Sequence, residues 1–238
     1  MRSLQGKVVV ITGAGSGIGR ALAVESAKKG AILALADWNE EGLKETQTEA
    51  RAKESIVRKL DVRSEEGFQA FASDVQKELG GAHVVVNNAG VSLSDTVGSM
   101  KRSDFEWLID INFWGVVRGT ETFLPQLLSK DDGHIVNISS VFGLIGVPSQ
   151  SAYNASKFAV RGYTEALRQE LEEAGAVLDD PEALTVLDGG LDDPDGVGGP
   201  TARELARAGD TEGWDLDAPE VPGSADDADD ADGTAADI

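Results

Sequence analysis

The chain has 238 residues, enough for one large domain or a domain with an appendage, and 41% of them are hydrophobic, nearly enough to fill a core. Its net charge of −21 is uneven: residues 172–238 hold 21 of the 42 acids and only two bases, Arg203 and Arg207. A nearly neutral body with an acidic end argues against phosphate-driven nucleic-acid binding and against attraction to anionic membranes. The absence of cysteine removes disulfides, thiolate catalysis and cysteine–zinc sites. His83 and His134 lie far apart in sequence and do not suggest a metal cluster. The first residues show no signal-peptide apolar core, and no run approaches the ~18 apolar residues of a membrane span. A soluble, cytoplasmic protein is expected.

The first 171 residues alternate. Lys7–Thr12 is an apolar β-branched run ending in glycines and reads as a buried strand. Ser16–Lys29 reads as a helix stopped by Gly30, Ala31–Ala36 as a strand ending at Asp37, and Glu40–Lys53 as a charged helix. Ser55–Val62 follows as a strand, and Ser64–Leu79 as a helix with Ser64 as N-cap and Gly80-Gly81 as its stop. His83–Asn87 is a strand, Ser103–Leu128 one long helical stretch, Gly133–Ser139 a strand and Tyr153–Glu173 a helix. Short apolar strands alternating with helices predict right-handed βαβ units, hence a doubly wound, Rossmann-like α/β fold with a parallel sheet. In such sheets ligands bind beyond the carboxyl ends of the strands.

Two constellations sit at those ends. After the first strand comes Thr12-Gly13-Ala14-Gly15-Ser16-Gly17-Ile18-Gly19, spaced G-x-x-x-G-x-G. Glycines there let the backbone approach a pyrophosphate, and the helix that follows offers free N–H groups and a positive dipole end. Asp37 closes the second strand, where a carboxylate accepts hydrogen bonds from both ribose hydroxyls of an adenosine and repels a 2′-phosphate. Ser16, Trp38 and Asn39 offer no cation for that phosphate. NAD is therefore expected over NADP. Tyr153 and Lys157, at i and i+4, share one helix face, where a lysine cation lowers the phenol's pKa and makes it a general acid/base. Taken alone, such a pair is an ordinary surface feature. Here Ser140 ends a strand 13 residues earlier, where it can hold a substrate oxygen.

With Asp61-Val62, Asn87-Asn88-Ala89-Gly90, Asn112 and Asn137-Ile138-Ser139-Ser140, this combination resembles the short-chain dehydrogenase/reductase family over residues 4–173. The resemblance implies an NAD-dependent oxidoreductase acting on a small secondary alcohol or ketone. Tyr153 would exchange the proton, Lys157 would lower its pKa and bind the nicotinamide ribose, and Ser140 would hold the substrate oxygen. Asn112 would carry a water linking Lys157 to solvent. Gly13, Ser16, Gly17, Ile18, Gly19, Asp37, Asp61, Val62, Asn88, Ala89 and Gly90 would line the cofactor, and no metal is implied. Val91, Phe142, Leu144 and Val147 are candidate pocket residues and favour an apolar substrate. The resemblance leaves a homodimer through the helices around Asn112 and Tyr153 open.

The likeness breaks after Gly175. The family continues with a sixth strand ending in Pro-Gly, a lid over the nicotinamide, and a closing strand ending in Asp-Gly-Gly. Ala183–Gly190 reads either as a damaged sixth strand without its Pro-Gly or as the closing strand, arriving early. Residues 1–190 are expected to form the catalytic domain, with Thr201–Ala208 as one short helix beyond it. Residues 191–238 form an acidic low-complexity tail, expected to be disordered, of the composition that a frame change in a GC-rich gene would give. The rival expectation is therefore an NAD-binding relative that lacks the substrate-binding region and turns over poorly.

Overall fold

The structure is a computed structural model and describes residues 3–130, 132–173 and 184–189. The expected helix at Thr201–Ala208 and the acidic tail at 191–238 lie outside them.

Six strands form one parallel sheet. They are β1 (Val8–Thr12), β2 (Ile32–Asp37), β3 (Ser55–Lys59), β4 (Val84–Asn87), β5 (His134–Ser140) and β6 (Leu184–Gly189), in the order β3-β2-β1-β4-β5-β6. The helices are α1 (Gly17–Lys28), α2 (Glu40–Ala50), α3 (Glu65–Leu79), α4 (Arg102–Ile109), α5 (Gly115–Leu128) and α6 (Ser151–Glu173). The doubly wound fold follows from burial on both faces. Along β1, Val9 and Ile11 pack with Ala23 of α1 and Leu43 of α2, whereas Val8 and Val10 pack with Phe68, Phe71, Phe123 and Leu167 of α3, α5 and α6. The period of two in a strand sends alternate side chains to opposite layers, so a continuous apolar run is needed.

Strand order reverses between β1 and β4, and the crevice outside this switch point is where such sheets bind ligands. Gly13 follows β1, Asp37 ends β2, Asn88 follows β4 and Ser140 ends β5, so the expected site residues gather at one sheet edge.

Most ends fall within one residue of the sequence expectation, and four features differ by more. Helix α2 stops at Ala50 rather than Lys53, because Arg51 turns left-handed with φ 49°. Strand β3 stops at Lys59 rather than Val62: Leu60 still donates to the Asp37 carbonyl, and then Ser64 N–H closes a turn onto Asp61. The stretch Ser103–Leu128 is two helices joined by a five-residue π turn, Asp110–Trp114, which carries Asn112. Helix α6 starts two residues early, at Ser151.

Strand β6 lies parallel beside β5, in sixth position, with Asp188 opposite Ser139 and Gly189 opposite Ser140. At the opposite sheet edge His83 and His134, remote in sequence, become neighbours: His134 N–H donates to the His83 carbonyl, and Asp132 pairs with Lys7 beside them. Among the described residues no group of three or more His, Asp or Glu side chains could hold a metal. No described helix is long and apolar enough to cross a membrane.

Candidate active site

At the adenosine end, Gly13 has φ +65°, and a Cβ there would sit 2.7 Å from the Ala89 Cα. The loop after β1 and the Asn88-Ala89-Gly90 segment after β4 therefore touch backbone to backbone. Thr12 and Asn88 lock that contact. Thr12 Oγ1 accepts from the Asn88 and Ala89 N–H groups, and Asn88 Nδ2 donates to the carbonyls of Thr12 and Gly13. Gly17 differs: its φ is +49°, and a Cβ would meet nothing within 4 Å, so the loop leaves open space above it.

Beside that space α1 begins without a capping side chain and without an acid in its first turn. Helices α2 and α3 are capped by Asn39 and Ser64 and start with Glu40-Glu41 and Glu65-Glu66. An uncapped N-terminus behind an open glycine cradle suits a pyrophosphate in charge and hydrogen bonding. Ser16 is the N-cap position, and Ile18 is about half exposed on the same turn.

Asp37 is buried, and its two oxygens accept the backbone N–H groups of Gly15 (2.8 Å) and Asn39 (2.9 Å). Burial pushes its carboxyl above the ordinary value, and those N–H bonds oppose the shift. The Trp38 N–H also bonds the carboxylate, which keeps capacity to accept from a ribose hydroxyl. The residues present thus fit an adenine dinucleotide. On the far wall Asp61 is held by Arg63 through both carboxylate oxygens, and Val62 is buried against Gly115.

At the other end, β5 and α6 bring Ser140, Tyr153 and Lys157 together. Lys157 is 5% exposed, donates to the Ile138 carbonyl at 2.9 Å, and its Nζ lies 5.5 Å from the Tyr153 ring centroid. Burial brings its pKa down to about 8. Tyr153 shares a hydrogen bond with Ser140. Burial pushes the phenol up and the serine bond opposes it, so the net direction is opposite to the lowering expected from sequence. Ser139 points elsewhere and donates to the Lys157 carbonyl at 3.1 Å.

Asn112, presented by the π turn, spends its amide on the neighbouring backbone. It accepts from Val91 N–H and donates to the Val91 carbonyl, both at 2.8 Å, and also donates to Ser156 Oγ. Both amide hydrogens are spent, so a water held by Asn112 would donate to one of its oxygens. Beneath the site a buried chain from Thr120 through Asn87 and Asn137 to Thr164 ties β4 to β5.

Two residues beyond the sequence reading organise this site. Arg20 donates to the Gly15 carbonyl and Thr46 Oγ1, and pairs with Glu45. A cation near a helix N-terminus opposes the dipole, and that mismatch was the available signal. Asn154, inside Tyr-Asn-Ala-Ser-Lys, holds the loop after Ser140. Its signal was a weak helix former in a helix interior.

Residues 7–178 match the family model for the short chain dehydrogenases. The chain belongs to the short-chain dehydrogenase/reductase family. Among its members, the "Putative oxidoreductase SadH" of Mycobacterium tuberculosis is 54% identical over 173 residues, which cover 72% of this chain and 63% of that one. Human "Epidermal retinol dehydrogenase 2" is 38% identical over 169 residues, 70% of this chain and 55% of that one. A solved short-chain dehydrogenase/reductase from Burkholderia phymatum, in complex with NAD, superposes with a TM-score of 0.72 at 40% identity, covering 74% of this chain and 64% of that one. The chain thus spans less than two thirds of these relatives.

Proposed function

We propose that this chain is an NAD(H)-dependent oxidoreductase interconverting a secondary alcohol and a ketone, with Tyr153 as general acid/base. The observation that carries this is the convergence of the Tyr153 and Ser140 hydroxyls with a buried Lys157, at the same carboxyl end of the sheet as the glycine loop after β1. A bound nicotinamide would supply the hydride acceptor or donor. The chain's own groups would do the rest. Ser140 orients the substrate oxygen, Tyr153 takes or gives its proton, and the Lys157 ammonium stabilises the phenolate. Gly13, Ser16, Gly17, Ile18 and Gly19 would receive the pyrophosphate. Asp37 would accept from the ribose hydroxyls, and its negative charge favours NAD over NADP. The NAD complex of the Burkholderia relative supports that preference. Asp61 and Val62 would flank the adenine, with Asn88, Ala89 and Gly90 along the cofactor. Asn112 would carry a water linking Lys157 to solvent while its side chain fixes Val91. Trp114 and Phe158, about half exposed on neighbouring helical segments, support a homodimer through this face. A cytoplasmic setting, and a catalytic body of residues 1–190 with an appended acidic segment, belong to the same proposal.

The second reading, a nucleotide-binding chain without turnover, is favoured by the 63% coverage of its relative. NADH titration and NAD-dependent oxidation of a secondary-alcohol panel separate the two: both readings require NADH binding, and only the first requires oxidation. In an active chain Tyr153→Phe loses about 100-fold or more in kcat, while NADH affinity stays within a few-fold. Wild-type kcat in that variant would remove Tyr153 from the mechanism.

A further inference from the structure

Between Ser140 at the end of β5 and Ser151 at the start of α6, the chain folds around one side chain. Asn154 Nδ2 donates to the carbonyls of Phe142 and Ile145, each at 2.7 Å, and Oδ1 accepts from Val147 N–H at 3.0 Å. Both amide hydrogens are used, and the residue is 8% exposed. The loop is pressed flat against its support: a Cβ on Gly143 would lie 2.7 Å from Ser139 Oγ and 2.9 Å from the Lys157 carbonyl. Its far end is joined to the segment after β4, where Asp95 N–H donates to the carbonyl of Ser149, a non-glycine residue at φ +60°. A backbone so over-determined is not an idle connection.

What this loop presents is apolar. The Phe142 ring meets the Tyr153 ring edge-on, centroids 5.9 Å apart, and Leu144 and Ile145 are about half exposed. Large aliphatic side chains on a loop that packs on Tyr153 through Phe142 can wall a substrate's apolar part. Asn154 follows Tyr153 directly on the same helical turn, so wall and hydroxyl share one support.

We propose that Asn154 is a positioning residue for the substrate: its amide fixes the Val141–Val147 loop relative to the Tyr153 hydroxyl and thereby selects secondary alcohols and ketones that carry a bulky apolar group. This rests on the oxidoreductase reading. Asn154 touches neither the glycine loop nor Asp37 by any hydrogen bond, so cofactor affinity is independent of it.

The test compares wild type, Asn154→Leu and Asn154→Asp. The probes are NADH, octan-2-ol and propan-2-ol, together with amide exchange. In Asn154→Leu, NADH affinity stays within twofold. The kcat/KM for octan-2-ol falls at least tenfold and that for propan-2-ol less than threefold. Exchange at residues 142–147 speeds up while that of Val8–Thr12 does not. In Asn154→Asp the ionised carboxylate still accepts from Val147 but cannot donate to Phe142 or Ile145. Its octan-2-ol preference is therefore lost as well. Equal losses for both alcohols and NADH, or an unchanged preference, overturn the proposal. If wild type binds NADH but oxidises neither alcohol, the oxidoreductase reading fails by itself. The loop role then stands or falls on amide exchange: at least tenfold faster at 142–147 in Asn154→Leu supports it, and no change overturns it.

Discussion

Lys157 carries a cost that the rest of the site is built around. A protonated lysine at 5% exposure has lost most of its hydration, and one carbonyl bond to Ile138 replaces only part of it. Burial lowers its pKa to about 8 against 10.5 for the exposed group. Between those values the unfolded chain binds more protons than the folded one, so this group makes stability rise with pH across that window. The penalty is fully present below about 8. At ~1.4 kcal/mol per pKa unit, the rise from pH 8 to 9.5 amounts to about 2 kcal/mol. For a domain of this size that is roughly 4–8 °C in Tm. Thermal melts of wild type and Lys157→Met should therefore diverge over that range, wild type gaining. A constant difference would mean that Lys157 titrates as an exposed lysine. The Tyr153–Lys157 spacing could be read from sequence because both lie on one helix. The direction of the tyrosine's shift could not, because burial comes from segments brought in by the fold.

At the scale of elements, what could be read depended on whether the signal was local. Strands β1, β2 and β4 announce themselves by apolar runs that turn polar only at their last residue, and β5 by Ile135, Val136 and Ile138. The cap Ser64 sits beside the helix it starts. The π turn at Asp110–Trp114 has no such mark: Asn112 earns its place through Val91 and Ser156, 21 and 44 residues away. The clamp on the glycine loop is equally non-local. From α2, Thr46 donates to the Ala14 carbonyl at 2.7 Å, and it accepts from Arg20, which also holds the Gly15 carbonyl. With those carbonyls tied back to α2, the Gly15 N–H is turned onto Asp37. Arg20→Ala should weaken NADH binding about tenfold, the loss of one or two charge-assisted hydrogen bonds. Thr46→Val, which frees only the Ala14 carbonyl and one arginine contact, should cost less. NADH fluorescence titration checks both, and wild-type affinity in Arg20→Ala would show that α1 and its dipole hold the loop unaided.

For the whole molecule the question is how much chain the sheet needs. The buried apolar clusters of the described residues run from Val8 to Leu171, and β6 extends the sheet to Gly189. Beyond it the large apolar side chains are few: Leu191, Val197, Leu205, Trp214, Leu216, Val221 and Ile238 over 48 residues, beside 15 acids and two bases. Ordering such a segment costs about 1–2 kcal/mol per residue in backbone entropy, which so little apolar surface does not offset. Its charges also repel one another. Ending the chain after Gly190 should therefore leave Tm within about 2 °C and NADH affinity within twofold. Solubility should fall, because among the described residues β6 lies at the sheet edge, where N–H and C=O groups can template association, and the truncated chain has lost most of its net charge. Melting, NADH titration and light scattering on the two lengths decide it. If shortening the chain weakens NADH binding tenfold or lowers Tm by more than about 5 °C, residues 191–238 pack on the sheet edge beside Ser139 and Ser140. They would then stand where the family's lid does.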